Sequence, residues 1–173
     1  MKALILFGAF AACATTDKLE TQPAKLGGFA YDAPAEWKHV DSHAPRSVTS
    51  TWTPIGDNER KESLVVIRSQ IDPALAKGGV DAVEKLLVAA QHELPKLTLS
   101  KSGVTKLVTG QGLAGLRIDS EFVPSGLGIE YHRTHLALLD GKTLIHLIYT
   151  SRDPDVGEQA LVAVLQSIHR GEG

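Results

Sequence analysis

Two alternating runs, Ile129 to Leu139 and Lys142 to Thr150, meet at Asp140-Gly141, and this junction constrains the fold more than any other part of the chain. Asp-Gly accepts the positive φ angles of a tight two-residue turn, whose twist matches that of the strands it joins. Two antiparallel strands must therefore lie side by side here. With Asp140-Gly141 as the turn, Leu139 faces Lys142, Ala137 faces Leu144, and His135 faces His146.

The same reading extends along the chain. Phe29 and Tyr31 alternate with small or polar residues until Pro34 and Trp37 close the segment. Ser47 to Thr53 alternates through Val48, Ser50 and Trp52, and Leu64 to Ile71 is a continuous β-branched run. Pro54-Ile55-Gly56-Asp57-Asn58 between them is a turn cluster. The period then changes: Val80, Val83, Leu87, Ala90 and Leu94 form one helical stripe between Gly78-Gly79 and Pro95. Strands resume at Val104 to Thr109 and Leu116 to Val123, where Leu116, Ile118 and Phe122 alternate with Arg117, Asp119 and Glu121. A closing helix starts at Asp153-Pro154, carries Leu161, Val164, Leu165 and Ile168, and stops at Gly171. The order β-β-β-α-β-β-β-β-α predicts an α+β domain, with a largely antiparallel sheet of about six to seven strands packed by two main helices.

The first residues give an address. Lys2 precedes an apolar run, Ala3 to Ala12, and small residues surround Cys13, as in an export signal. The run is about half of the ~20 residues a bilayer-spanning helix needs. Residues 1–12 are thus expected to be a signal, 13–25 a flexible tether (polar and irregular from Thr15 to Lys25, with Pro23), and 26–173 a single domain. Cleavage after Ala14 would instead give a soluble periplasmic protein, and an uncut chain would be cytosolic. Cys13 is the only cysteine, so the body draws nothing from disulfides.

Composition excludes some classes. Hydrophobic residues are 43% and charged residues 22%, as in an ordinary globular domain. A net charge of −2 and the absence of any basic run argue against nucleic acid as a partner. With two Trp, three Tyr and four Phe, the chain has little material for a base-stacking platform.

Two resemblances add to this. Phe10-Ala11-Ala12-Cys13 resembles the lipobox of bacterial lipoproteins, although Phe10 stands where Leu is usual and the signal is short. That resemblance implies a diacylglyceryl group on the Cys13 sulfur, cleavage before Cys13, and anchoring in the cell envelope facing the periplasm. Ala14 after the cysteine implies the outer membrane by the same resemblance. The body is similar to the PsbP-like superfamily, near its bacterial DcrB-type members. The similarity is carried by Phe29-Ala30-Tyr31-Asp32-Ala33-Pro34-Ala35-Glu36-Trp37, the mid-chain helix, and Leu144-Ile145-His146-Leu147-Ile148-Tyr149-Thr150 before the closing helix. It implies an α/β/α sandwich that serves as a binding or accessory subunit of an envelope protein partner, or as a chaperone-like holder of apolar segments, without shared catalytic residues or a cofactor.

Candidate chemistry is sparse. Gly110-Gln111-Gly112-Leu113-Ala114-Gly115 fits G-x-G-x-x-G, but a dinucleotide loop must open a helix, and here a strand pattern follows. There is no Gly-x-Ser-x-Gly elbow and no Ser-x-x-Lys, so no catalytic residue is assigned and an enzyme is not expected. The sharpest constellation is His135 opposite His146, which could share Zn²⁺ or Cu²⁺ as the centre of a metal-binding or hydrolytic enzyme, the weaker alternative, with Tyr131 and Arg133 on the same face. No third ligand can be placed there, and Arg133 disfavours a cation, so a half-buried polar pair is the expectation. His132 would face Tyr149 on the other side of the hairpin, while Asp119, Glu121 and Glu130 could gather on a solvated face.

Overall fold

A computed structural model describes residues 19–56, 61–92, 97–109, 112–126, 128–153 and 158–171. The expected signal, Cys13 and the start of the tether lie outside these residues, as do Gly110, Gln111 and Pro154. The strands are β1 (Thr21–Leu26), β2 (Phe29–Pro34), β3 (Trp37–Ala44), β4 (Ser47–Pro54) and β5 (Ser63–Gln70), followed by helix α1 (Pro73–His92). After it come β6 (Leu97–Val108), β7 (Ala114–Pro124), β8 (Tyr131–Asp140), β9 (Thr143–Ser151), helix α2 (Glu158–Ser167) and β10 (His169–Arg170). They form a seven-stranded sheet of order β3-β4-β5-β9-β8-β7-β6 and a three-stranded sheet of order β1-β2-β10. All pairs are antiparallel, and the fold is α+β as the sequence pattern requires.

Alternation divides the large sheet into two faces. Leu64, Val66, Leu136, Leu138, Ile145, Leu147 and Tyr149 face the small sheet and α2, meeting Leu26, Phe29, Tyr31, Leu161, Val164 and Ile168 in the main core. Burying each such side chain fully contributes about 1.5–3 kcal/mol. At its centre the Trp52 indole N–H donates to the Tyr31 hydroxyl across 3.1 Å, with the rings edge to face. The opposite face receives α1: Val83 packs on Leu116, Ala137 and Leu144, flanked by Ile71, Leu75, Val80 and Leu87. One helix thus covers each face.

Four features differ from the sequence expectation. The tether expected through Lys25 ends earlier, because Thr21–Leu26 is strand β1, paired from Thr21↔Pro34 to Leu26↔Phe29. Its own residues are weak strand formers; pairing with β2 and the Gln22 side-chain amide donating to the Pro34 carbonyl hold it in place. Pro23 is tolerated because β1 is an edge. Trp37 opens β3 instead of ending a segment; this strand is so exposed that it has no apolar alternation to read. The first helix begins at Pro73, where the Asp72 carboxylate accepts from the Ala74 N–H at 2.8 Å, and Gly79 (φ 64°) kinks it at the point where the stripe suggested a start. After α2, His169 and Arg170 pair with Ala30 and Phe29, a strand too short to carry a pattern.

The hairpin register also moves by two residues. Gly141 and Lys142 form the turn, with Gly141 at φ 58°, so Asp140 faces Thr143 and Leu139 faces Leu144. Gly115 permits a close approach of β7 to β8: a Cβ there would lie 2.5 Å from the Ala137 carbonyl oxygen and 2.8 Å from Leu138 Cδ2. Gly103, on the neighbouring edge strand, has open space at the same position. Gly115→Ala should therefore destabilise the protein by about 1–3 kcal/mol through overpacking, while Gly103→Ala should leave it unchanged or slightly stabilised. Urea midpoints of the two variants beside the parent check this.

Candidate functional site

The shifted register places His135 opposite Ile148 and His146 opposite Ala137. The two histidines are diagonal neighbours on one face, and their rings still meet: His135 Nε2 lies 2.8 Å from His146 Nδ1, with centroids 5.1 Å apart. This is a hydrogen bond in which one imidazole N–H donates to the bare nitrogen of the other. Two nitrogens sharing a tetrahedral Zn²⁺ would stand ~3.4 Å apart, each lone pair aimed at the ion. Among the described residues no group of three His, Cys, Asp or Glu side chains is placed to hold a metal. Burial pushes both imidazoles down, His135 to about 3 with help from the charges of His146 and Arg133, and His146 to about 4. Both rings are neutral at pH 7.

Around the pair the face is only partly covered. The row Val65, Ile148, His135, Ile118 and Val104 crosses five strands, continuing to Thr51 and the 69%-exposed Val40 on the edge. Helix α1 packs on the adjoining row at Leu116 and Ala137, so Val65, Ile67 and Ile148 remain half-buried outside both core clusters. Next to them Arg133 faces Thr150, its Nε donating weakly to the Thr150 hydroxyl at 3.4 Å. Its guanidinium lies 4.4 Å from the centroid of the Phe122 ring, which stacks on Tyr131, which in turn lies under Arg152. Tyr131 and Arg133 thus share the histidine face as the alternation requires.

The other face of β7 and β8 carries a second polar arrangement. A cavity of about 260 Å³ has Arg117, Asp119, Glu121, His132 and Thr134 in its lining and is bordered by Arg133, with Gly103 contributing no side chain. The Asp119 carboxylate accepts from Arg117 Nε at 2.8 Å and from the Thr134 hydroxyl at 2.7 Å, and His132 stands 4.0 Å from Glu121. Asp119 and Glu121 do meet in this cavity, whereas Glu130 lies outside it and is exposed. His132 faces Ser151, and Tyr149 faces Thr134, so that expected pair is diagonal. The glycine motif opens strand β7 instead of a helix; Gly112, at φ 77°, donates to the Thr109 carbonyl within the turn. Nothing in the residue pattern pointed to the Asp119–Thr134 bond or to Arg133 over Phe122, because both depend on registers between strands that no tight turn joins.

No known protein family and no curated protein matches the chain. Solved structures do. A protein from Bacteroides thetaiotaomicron aligns with a TM-score of 0.50 at 11% identity, over 84% of this chain and 46% of its own. The chain thus spans less than half of that protein, and the likeness is one of fold alone. LpqN, involved in cell envelope biogenesis of Mycobacterium tuberculosis, aligns at TM-score 0.47 and 15% identity, over 87% of this chain and 91% of its own. A protein of unknown function from Pseudomonas aeruginosa aligns at 0.42 and 15%, over 78% and 84%. Among the described residues no helix is long and apolar enough to cross a membrane.

The buried imidazole pair makes stability pH-dependent in a defined direction. The unfolded chain binds protons on these rings near pH 6.5, the folded protein only near 3 and 4. Stability is therefore full above about pH 6.5 and falls as pH drops toward 4, by at most about 1.4 kcal/mol per pH unit for each ring. Replacing both rings, as His135→Leu with His146→Leu, should flatten this limb of the curve and leave stability near neutral pH little changed. Urea unfolding between pH 7.5 and pH 4.5 reads both effects.

Proposed function

We propose that this protein is an exported, lipid-anchored component of the bacterial cell envelope that acts as a non-catalytic binding or accessory module. The observation that carries the binding role is the half-covered face of the large sheet, where Val65, Ile67 and Ile148 lie beside the polar trio Arg133, His135 and His146. A sheet face of this kind is normally closed by a helix, and α1 closes only the part over Leu116, Ala137 and Leu144. The polar groups on it suit recognition better than bond-breaking. Both imidazoles are held neutral and spend a nitrogen on each other, and among the described residues no nucleophile is hydrogen-bonded to either. The resemblance to PsbP-like proteins agrees with a module that works by surface complementarity to an envelope partner.

The address rests on Lys2, the short apolar run and Phe10-Ala11-Ala12-Cys13. Acyl chains on Cys13, each contributing about 0.8 kcal/mol per buried methylene, would hold the domain at the membrane surface, the outer membrane by the resemblance. Expression in a bacterium with export machinery should yield a chain that begins at lipid-modified Cys13 by intact mass and sediments with membranes. Cys13→Ser should shift it to the soluble fraction. A chain beginning at Thr15 would make it a free periplasmic binder, and an uncut Met1 would overturn the export reading.

A further inference from the structure

Arg133 stands apart from its neighbours in how its charge is met. Arg117, Lys106 and Arg170 each reach a carboxylate, on Asp119, Asp81 and Asp140. Arg133 is half-buried on strand β8, yet its partners among the described residues are one hydroxyl at 3.4 Å and the face of Phe122. A desolvated charge is normally paired, because the lost hydration must be replaced. The aromatic face replaces part of it, about 0.5–2 kcal/mol, and leaves the outer guanidinium N–H donors to be satisfied from the open side. Burial pushes the guanidinium pKa down, which is the same deficit seen from the proton's side.

We propose that Arg133 receives the carboxylate of an amphipathic ligand whose hydrocarbon body lies along Ile148, Val65 and Ile67. This rests on the binding-module reading above and names its ligand. One guanidinium matches one carboxylate in a two-bond fork. A phosphate monoester, carrying about −1.5 to −2, would leave excess negative charge on a partly buried face with neutral imidazoles beside it. The hydrocarbon follows from the neighbours. From the Arg133–Thr150 row to the His146–Ile67 row is four residues along the strands, roughly 13 Å, and Ile148 and Val65 occupy the row between. A saturated chain of about ten carbons covers that length and removes these half-buried side chains from water at about 25 cal/mol per Å². The imidazole pair adds no competing charge at neutral pH.

Calorimetric titration of the full-length chain carrying Cys13→Ser, with decanoate below its micelle concentration and with 1-decanol in parallel, tests this. Decanoate should bind at least tenfold tighter than 1-decanol, and Arg133→Gln should remove at least a tenfold share of decanoate affinity while leaving 1-decanol unchanged. A second measurement needs no variant in the site: NMR titration of the His135 ring should move upward when decanoate neutralises the charge beside it. Equal binding of the two probes, with no effect on His135, overturns the carboxylate assignment and leaves the face as an apolar binder. Failure of both probes to bind overturns the assignment and the reading of this face together, while the fractionation of the Cys13 variant still decides the address.

Discussion

The β8–β9 hairpin is the constraint on which the rest of the structure depends. It lies at the middle of the seven-stranded sheet, and its side chains supply both cores: Leu136, Leu138, Ile145 and Leu147 to one face, Ala137 and Leu144 to the other. The left-handed Gly141 fixes where the chain reverses, and that fixes which residue of β8 stands beside which residue of β9. A slip of one residue would exchange the two faces, sending Leu136, Leu138, Ile145 and Leu147 toward α1 and bringing His135 and His146 under α2. A slip of two residues keeps every side chain on its face and changes only its neighbours.

That distinction explains what could be read in the sequence. The face shared by His135 and His146 follows from alternation alone, and it survives the two-residue difference between the expected and observed register. Their contact survives as well, because diagonal neighbours lie ~7–8 Å apart at the backbone and an imidazole spans most of that gap. What alternation could not supply was chemistry: facing rings suggest a metal, whereas the diagonal arrangement produces a direct N–H···N bond. The same limit applies to Arg133. Its face was legible, but its stacking on Phe122 depends on the β7–β8 register, and the turn between those strands has no diagnostic dipeptide.

The elements that escaped the sequence share one physical property. β1, β3 and β10 are edge or near-terminal strands with much of their length in solvent, so burial imposes no period on them. β1 exists because β2 offers it a ladder, and β2 is legible because Phe29, Tyr31 and Ala33 are buried on one side. The helices show the complement of this rule. The stripe from Val80 to Leu87 was readable because it packs on the sheet, while the turn from Pro73 to Gly78 precedes a kink at Gly79 and carries only Leu75 into the core. Sequence pattern records burial, and it is silent where the chain is held by its partners' hydrogen bonds.

The two polar arrangements on β7 and β8 make opposite uses of their surroundings. The cavity at Asp119 has a central carboxylate that already accepts from Arg117 and Thr134, so a ligand entering there would have to displace bonds already made. Arg133, one residue away from Thr134, borders that cavity but turns its side chain to the reverse face, where among the described residues it meets only the Thr150 hydroxyl and the Phe122 ring. Burial keeps His135 and His146 neutral, with the Arg133 charge adding to it at His135; the other cations of this face lie elsewhere, Arg152 over Tyr131 and Lys106 on Asp81. Recognition follows bonding capacity left unspent at a desolvated group more closely than it follows the depth of a recess. By that criterion the face proposed to meet a ligand is the one where Arg133, among the described residues, reaches no carboxylate and stands beside a row of half-buried aliphatic side chains.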